Sequence, residues 1–289
     1  MLKTRIIAVL IVRNDIVVQS IGFKKYLPVG KVSIAIDYLD QWGVDEIILL
    51  NITSERINES YNVQQLIDYS RYCHVPLTVG GGVQTINDIK SIIQSGADKV
   101  AINSSVYNNS NLISDAKQIF GRQCIVASID AKKVNETEYS VYVMNGSVDT
   151  KISPITMAKK VEQYGAGEII INSIDQDGVK KGYDLALLEQ VIDAVNIPVI
   201  ACGGVGNPDH FKAAIDLGAS GVAAANFFHY TEHSVTLVKR HLVDVNYDIR
   251  LDSYFTYEGC ELDNLGRVKK KGDSKLEKLR FEHIDEEVI

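Results

Sequence analysis

The chain matches itself at an offset of 122 residues, and that repeat constrains its fold more than any other feature. Gly43-Val44-Asp45-Glu46-Ile47-Ile48 aligns with Gly165-Ala166-Gly167-Glu168-Ile169-Ile170. Gly81-Gly82-Val83 aligns with Gly203-Gly204-Val205, and Gly96-Ala97-Asp98-Lys99-Val100 with Gly218-Ala219-Ser220-Gly221-Val222, at the same spacing. Short β-branched runs recur around these matches, at 5–12, 45–51, 76–80, 98–103, 123–130, 167–173, 198–202 and 220–225. They are continuously apolar, as parallel strands buried on both faces require. Amphipathic stretches follow them at 31–42, 62–72, 86–95, 110–119, 153–164, 184–194, 208–217 and 231–243. Eight strand–helix units over about 250 residues predict an α/β chain folded as a (β/α)8 (TIM) barrel made of two (β/α)4 halves. Residues 133–151 alternate polar and apolar around Asn145-Gly146, which predicts a β-hairpin inserted after the fifth strand.

The charge distribution sets a boundary. Residues 252–289 carry 17 charged groups among 38, against 50 among the first 251. We therefore expect a barrel over 1–251 and a charged C-terminal extension over 252–289, either solvated or a docking segment for a partner. With 30 basic against 37 acidic residues the chain lacks the excess of positive charge that nucleic-acid binding needs. No apolar run is long enough to span a membrane, and the N-terminus carries no signal-peptide pattern. Cys73, Cys124, Cys202 and Cys260 are scattered, with no metal-binding spacing. The expectation is a cytoplasmic protein without metal or other cofactor.

Active sites of this barrel lie at the C-terminal ends of the strands. Each half places a glycine-rich loop there, Gly80-Gly81-Gly82 and Gly203-Gly204, followed by a small-residue strand end, Asn103-Ser104 and Ala225-Asn226. One such loop fits a tight turn as well as it fits an anion cradle. A symmetric pair, with Asp177-Gly178 beside the second, predicts two backbone cradles for a ligand with a phosphate at each end. Asp130 closes the run Ile125-Val126-Ala127-Ser128-Ile129, a costly place for a carboxylate that has no task. Aligning Ala8 with Ala127 makes Ile11 its counterpart, so the chain offers one acid where symmetry would supply two.

These stretches, with Arg5-Ile6-Ile7-Ala8, Pro76 to Val83, Ile129-Asp130-Ala131-Lys132 and Lys181-Gly182-Tyr183-Asp184-Leu185, resemble the cyclase subunit of imidazole glycerol phosphate synthase over residues 1–251. The resemblance implies a heterodimer with a glutaminase docked at the barrel bottom. Ammonia would cross the barrel to a bis-phosphorylated substrate, on which two aspartates act. It implies an ammonia gate at Arg5, Glu46, Lys99 and Glu168, a glutaminase contact at Asp98, and catalysis at Asp130. Phosphate and substrate binding would fall to Gly81, Gly82, Asn103, Ser104, Asp177, Gly178, Gly203, Gly204, Ala225 and Asn226. Four positions depart from that pattern. The first aspartate is Ile11, which cannot transfer a proton. The first-loop lysine is Gln19, the aspartate ending strand two is Asn51, and the last-loop serine is Asn226. All four lie at the substrate end.

Three expectations follow. One is a subunit that conducts ammonia for a sugar amidotransferase of surface-polysaccharide biosynthesis, with a third protein as partner. The second is a genuine histidine-pathway cyclase. The third is a half-barrel phosphate-sugar isomerase, which would need no ammonia gate. His229 and Cys202 read as packing residues, and no hydrolase or P-loop motif appears.

Overall fold

The computed structural model describes residues 3–53, 62–109, 111–231 and 233–251, with 260, 261, 263, 268 and 269 beyond them. In chain order the first half comprises β1 (Arg5–Arg13), β2 (Ile16–Ile21), β3 (Lys25–Lys31), α1 (Val32–Gln41), β4 (Glu46–Asn51), α2 (Val63–Ser70), β5 (Leu77–Gly80), α3 (Ile86–Gln94), β6 (Lys99–Ile102), α4 (Ser104–Asn108) and α5 (Asn111–Phe120). The second half comprises β7 (Ile125–Lys133), β8 (Tyr139–Val143), β9 (Val148–Asp149), α6 (Pro154–Tyr164), β10 (Glu168–Ser173), α7 (Leu185–Ile192), β11 (Val199–Cys202), α8 (Pro208–Asp216), β12 (Gly221–Ala224) and α9 (Ser234–Asp244).

Eight of these strands close a parallel barrel in the order β1-β4-β5-β6-β7-β10-β11-β12, with β12 returning to β1. This is the expected (β/α)8 architecture, and each predicted strand and helix has its counterpart. The alternation of the strands divides the apolar residues into two sets. Ile6, Ala8 and Leu10 of β1 face the helices. Ile7 and Val9 point inward, where Ile48, Ala101, Val126, Ile170, Ile200 and Ala223 complete a separate cluster along the axis. The barrel is therefore filled with side chains, as eight-stranded barrels are.

The hairpin expected at 133–151 is present: β8 runs antiparallel to the end of β7, pairing Tyr142 with Asp130 and Tyr139 with Lys133, and β9 pairs with β8. A second hairpin, β2–β3, was not anticipated from sequence. It follows β1 at the position related to β7 by the repeat, so each half carries one hairpin above the barrel mouth.

The repeat is broken at the base. Asp45 precedes β4, and its carboxylate accepts the backbone N–H of Ile6 at 2.7 Å and pairs with Lys239 of α9 at 2.6 Å. Both partners of that ion pair are buried, Lys239 with 1% of its side chain exposed. Its counterpart Gly167 lies so close to the Arg122 carbonyl that a side chain would collide with it. The pair fastens the last helix to the first half. The expected extension over 252–289 lies outside the described residues apart from the five named.

Removing one partner of a buried pair leaves the other charge uncompensated. Lys239→Ala is expected to lower unfolding free energy by about 3–5 kcal/mol, measured by urea denaturation. Lys239→Ala combined with Asp45→Asn is expected to lose less than the sum of the two single changes.

Candidate functional site

Both ends of the barrel carry buried polar groups, and they differ in kind. At the end where the strands begin, Arg5, Glu46, Lys99 and Glu168 each open a barrel strand. Their side chains meet around the axis in a closed ring. Arg5 pairs with Glu46 at 2.5 Å and with Glu168, and Lys99 pairs with Glu46 and Glu168, each at 3.0 Å. The Thr78 hydroxyl donates to Glu46 Oε1 at 2.8 Å. Both glutamates are buried and the ring is neutral overall. Burial pulls the Arg5 guanidinium down, but Glu168 and Glu46 more than offset this and hold it above its ordinary value. Asp98 sits beside the ring on the outer surface. One carboxylate oxygen accepts the Leu77 N–H at 2.8 Å, while the residue stays exposed.

At the other end two cavities open under the hairpins. The larger, about 340 Å3, is bordered by Gly81, Gly82, Asn103, Ser104, Asp130 and the tip of the second hairpin. The smaller, about 50 Å3, is bordered by Asp177, Gly178, Gly203, Gly204, Ala225 and Asn226. Ile11, Ser20, Phe23, Leu50, Ser128 and Asn172 line both. The structure thus brings the two expected sets of loop residues to the mouth and sorts them by half-barrel, while Asp130, from the second half, borders the first-half cavity and Gln19 lines neither. The glycines are required locally. Gly81 has φ +101° and Gly204 φ +100°, and a Cβ on either would strike a backbone carbonyl, of Asn51 or Gly182.

Asp130 is held from both sides. Asn103 Nδ2 donates to one oxygen at 2.8 Å and Asn172 Nδ2 to the other at 3.1 Å. Burial pushes the carboxyl up to about 6; the two amides oppose this and Asp177 adds to it. The group is therefore placed to exchange a proton near neutral pH. Opposite it, Ile11 packs with Leu50, Cys202 and Ala225 on top of the axial apolar cluster.

Asp177 and Asn226 also hold the first hairpin. Ser20 Oγ and the Phe23 N–H donate to Asp177 Oδ2 at 2.6 and 3.1 Å. Asn226 Nδ2 donates to the Ser20 carbonyl at 2.6 Å and its Oδ1 accepts the Ser20 N–H at 3.2 Å. Gln19 accepts the Tyr230 hydroxyl at 2.8 Å, and Asn51 Oδ1 accepts the Thr53 N–H at 2.9 Å. Ser20, Phe23, Tyr26 and Lys180 were not anticipated at the mouth, the first three because their hairpin was not. Asn172 could have been read from sequence, since an amide closing an apolar strand repeats the logic applied to Asp130. Burial keeps the Cys202 thiol up at about 12, so it is protonated and a poor nucleophile. Burial lowers His229 to about 4, so its ring is neutral. Among the described residues no group of three His, Cys, Asp or Glu side chains gathers as a metal site, and no helix is long and apolar enough to cross a membrane.

A closed parallel barrel of two repeated halves, with a charged ring at one end and paired glycine loops at the other, places the chain among duplicated (β/α)8-barrel proteins. Within that class, the chain belongs to the family described as histidine biosynthesis protein, whose model matches residues 5–234. A Vibrio vulnificus (strain YJ016) protein named putative imidazole glycerol phosphate synthase subunit hisF2 is 41% identical over 268 residues, covering 92% of this chain and 98% of the relative. The imidazole glycerol phosphate synthase subunit HisF of Endomicrobium trichonymphae is 41% identical over 251 residues, 86% of this chain and 96% of its own. The subunit of the same name from Bacillus cereus (strain G9842) is 42% identical over 257 residues, 87% of this chain and 100% of its own.

Two outcomes test this geometry. Lys99→Met leaves the ring with an excess carboxylate and is expected to cost about 2–3 kcal/mol, below the fully buried case because Lys99 is partly exposed. Adding Glu168→Gln is expected to restore part of that loss in thermal unfolding. The Asp130 carboxyl binds its proton more tightly folded, at about 6, than at its ordinary 3.8. Its contribution to stability therefore falls as pH rises from about 4 to about 6, by about 3 kcal/mol in all. Asp130→Asn is expected to flatten that dependence in urea titrations and to be the more stable form at pH 8.

Proposed function

We propose that this chain is the cyclase-like synthase subunit of a glutamine-dependent amidotransferase. It receives ammonia from a glutaminase partner at the ring end and conducts it through the barrel to the cavities at the mouth. The observation that carries this is the closed ring of Arg5, Glu46, Lys99 and Glu168 around the axis. A neutral ring of two buried carboxylates and two partly buried cations is a costly way to plug a barrel that needs only apolar filling, and it suits a gate that parts for a small polar molecule. Asp98, exposed beside it, is assigned to the glutaminase contact. The apolar residues above the ring favour neutral ammonia over ammonium, whose charge they could not solvate.

At the mouth, the backbone at Gly81, Gly82, Asn103 and Ser104 is assigned to one phosphate of the substrate. Gly178, Gly203, Gly204, Ala225 and Asn226, with Asp177, are assigned to the other. Asp130 is the acid/base residue. With Ile11 opposite, the site exchanges one proton at a time, whereas cyclisation with cleavage needs two acids. The nitrogen is therefore assigned to a different acceptor, a sugar amidated by a third protein in surface-polysaccharide biosynthesis. The likeness to the Vibrio relative supports a task for the extension: 92% of 289 residues is about 266, so the match runs past residue 251. The names of the relatives favour the second reading, a genuine imidazole glycerol phosphate synthase cyclase of histidine biosynthesis that works through Asp130.

One experiment separates the two. The purified full chain is given ammonia and the bis-phosphorylated ribosyl-aminoimidazole substrate of the cyclase. The expected result is turnover lower by about 10²–10⁴-fold than that of Ile11→Asp, the span a general acid/base contributes. Unmodified chain turning over at about 1 per second or faster, in the ordinary enzyme range, would establish the histidine reading instead.

A further inference from the structure

The two cavities at the mouth differ in charge as well as in size. Among the residues lining the larger one there is no cationic side chain, and its one carboxyl group is that of Asp130. The smaller is lined by Asp177 and by Lys180, the single cation among the described residues bordering either cavity. We propose that Lys180 is the counter-charge for one phosphate group seated in the smaller cavity, and so a specificity-determining residue that selects which end of the ligand enters there. This rests on the phosphate-binding reading given above and assigns its unequal halves.

Volume points the same way. About 50 Å3, on a scale where one water needs about 10–15 Å3, admits a tetrahedral oxyanion and excludes a sugar ring. The rest of a phosphorylated ligand has to lie in the 340 Å3 cavity beside Asp130. The smaller cavity also needs a cation. Asp177 borders it, and although its Oδ2 is engaged by Ser20 and Phe23, its carboxylate would repel an incoming dianion. Burial already raises the Asp177 pKa, so the region carries negative charge poorly. A lysine at the rim offsets that repulsion.

The backbone of Lys180 is fixed for this position. It adopts φ +63°, the left-handed region that a non-glycine residue occupies at a cost of about 1 kcal/mol or more. The turn before it is closed by Val179 N–H donating to the Gln176 carbonyl at 3.0 Å, and the turn after it by Gly182 N–H donating to the Gly204 carbonyl at 2.8 Å. Any Cβ at Gly206 would meet Lys180 Cβ at 2.7 Å and collide with its carbonyl. The strained residue is thus pressed against the glycine loop that forms the cradle. Among the described residues its ammonium makes no ion pair, and the residue is exposed, so the charge is available to a ligand.

The test titrates the full chain with inorganic phosphate, using calorimetry and 31P NMR, in the unmodified protein, Lys180→Gln and Lys180→Arg. Because the side chain is exposed, both variants are expected to fold, which circular dichroism checks. The unmodified chain is expected to bind phosphate at two sites of unequal affinity. Lys180→Gln is expected to weaken the tighter site by about tenfold, with a smaller salt dependence, and to leave the other unchanged; Lys180→Arg is expected to stay within about threefold of the unmodified chain. Saturable binding that Lys180→Gln leaves intact, or a loss that Lys180→Arg does not rescue, overturns the role of Lys180 alone. Absence of saturable phosphate binding in the unmodified chain overturns this proposal and the phosphate reading together.

Discussion

Two buried glutamates and the two partly buried cations that neutralise them around the barrel axis set a condition that the rest of the fold has to meet. Arg5, Glu46, Lys99 and Glu168 come from β1, β4, β6 and β10, three from the first half and one from the second. Each carboxylate contacts both cations. A slip of one residue in any of these strands would turn its charge outward and leave an unpaired charge inside. The ring therefore fixes relative strand register in a way that the interchangeable Ile and Val residues above it could not. It also ties the halves together, because Glu168 is the single second-half member and bridges two first-half cations. The expense of burying these groups is offset only when all four strands are in place, so assembly of the halves is cooperative at this layer.

Above the ring the twofold repeat persists in backbone and decays in side chains. Both halves keep a hairpin over the mouth, a glycine loop with positive φ and a short turn after the last strand. The decay falls where chemistry is concentrated. Asp130 faces Ile11, so its raised pKa comes first from burial and not from a neighbouring acid in the other half. Asp177 and Asn226 anchor the first hairpin, whereas the second hairpin is held by Ser104 Oγ accepting the Met144 N–H at 3.0 Å and by Asn145 donating to the Ile52 carbonyl at 3.3 Å. The contacts cross between halves: the first hairpin leans on the second half and the second hairpin on the first. The mouth is closed by exchange, and neither half could form it alone.

The barrel was legible in the sequence because its signals are periodic and repeated: continuous apolar strands, glycines at strand ends and one offset throughout. The first hairpin was not legible, because β3 contains Pro28 and Gly30 and both begins and ends with a lysine, a composition that reads as loop. That miss concealed Ser20, Phe23 and Tyr26, whose place at the mouth depends on the hairpin folding back. The charged ring became visible through resemblance, since a lone Glu or Lys opening a strand has no local signature. Lys180 was hidden for a related reason: Lys180-Lys181 reads as a solvated pair, and only the left-handed turn separates one lysine from its neighbour. The extension from 252, which composition singled out, lies largely outside the described residues.

The replacement at residue 11 alters more than the count of acids. An aspartate there would place a second carboxylate over the axial apolar residues, next to the route that ammonia takes on the proposed reading. Ammonia is a stronger base than a carboxylate, so any acidic proton it meets on the way converts it to ammonium, which is no longer a nucleophile. Ile11 instead continues the apolar lining of Ile7, Val9, Ile48 and Ile170 up to the mouth. Asp130 remains, but it stands to one side, in the larger cavity and clamped by two amides. On the proposed reading, Ile11 therefore both leaves the mouth with one acid and lengthens the apolar passage over which ammonia stays neutral.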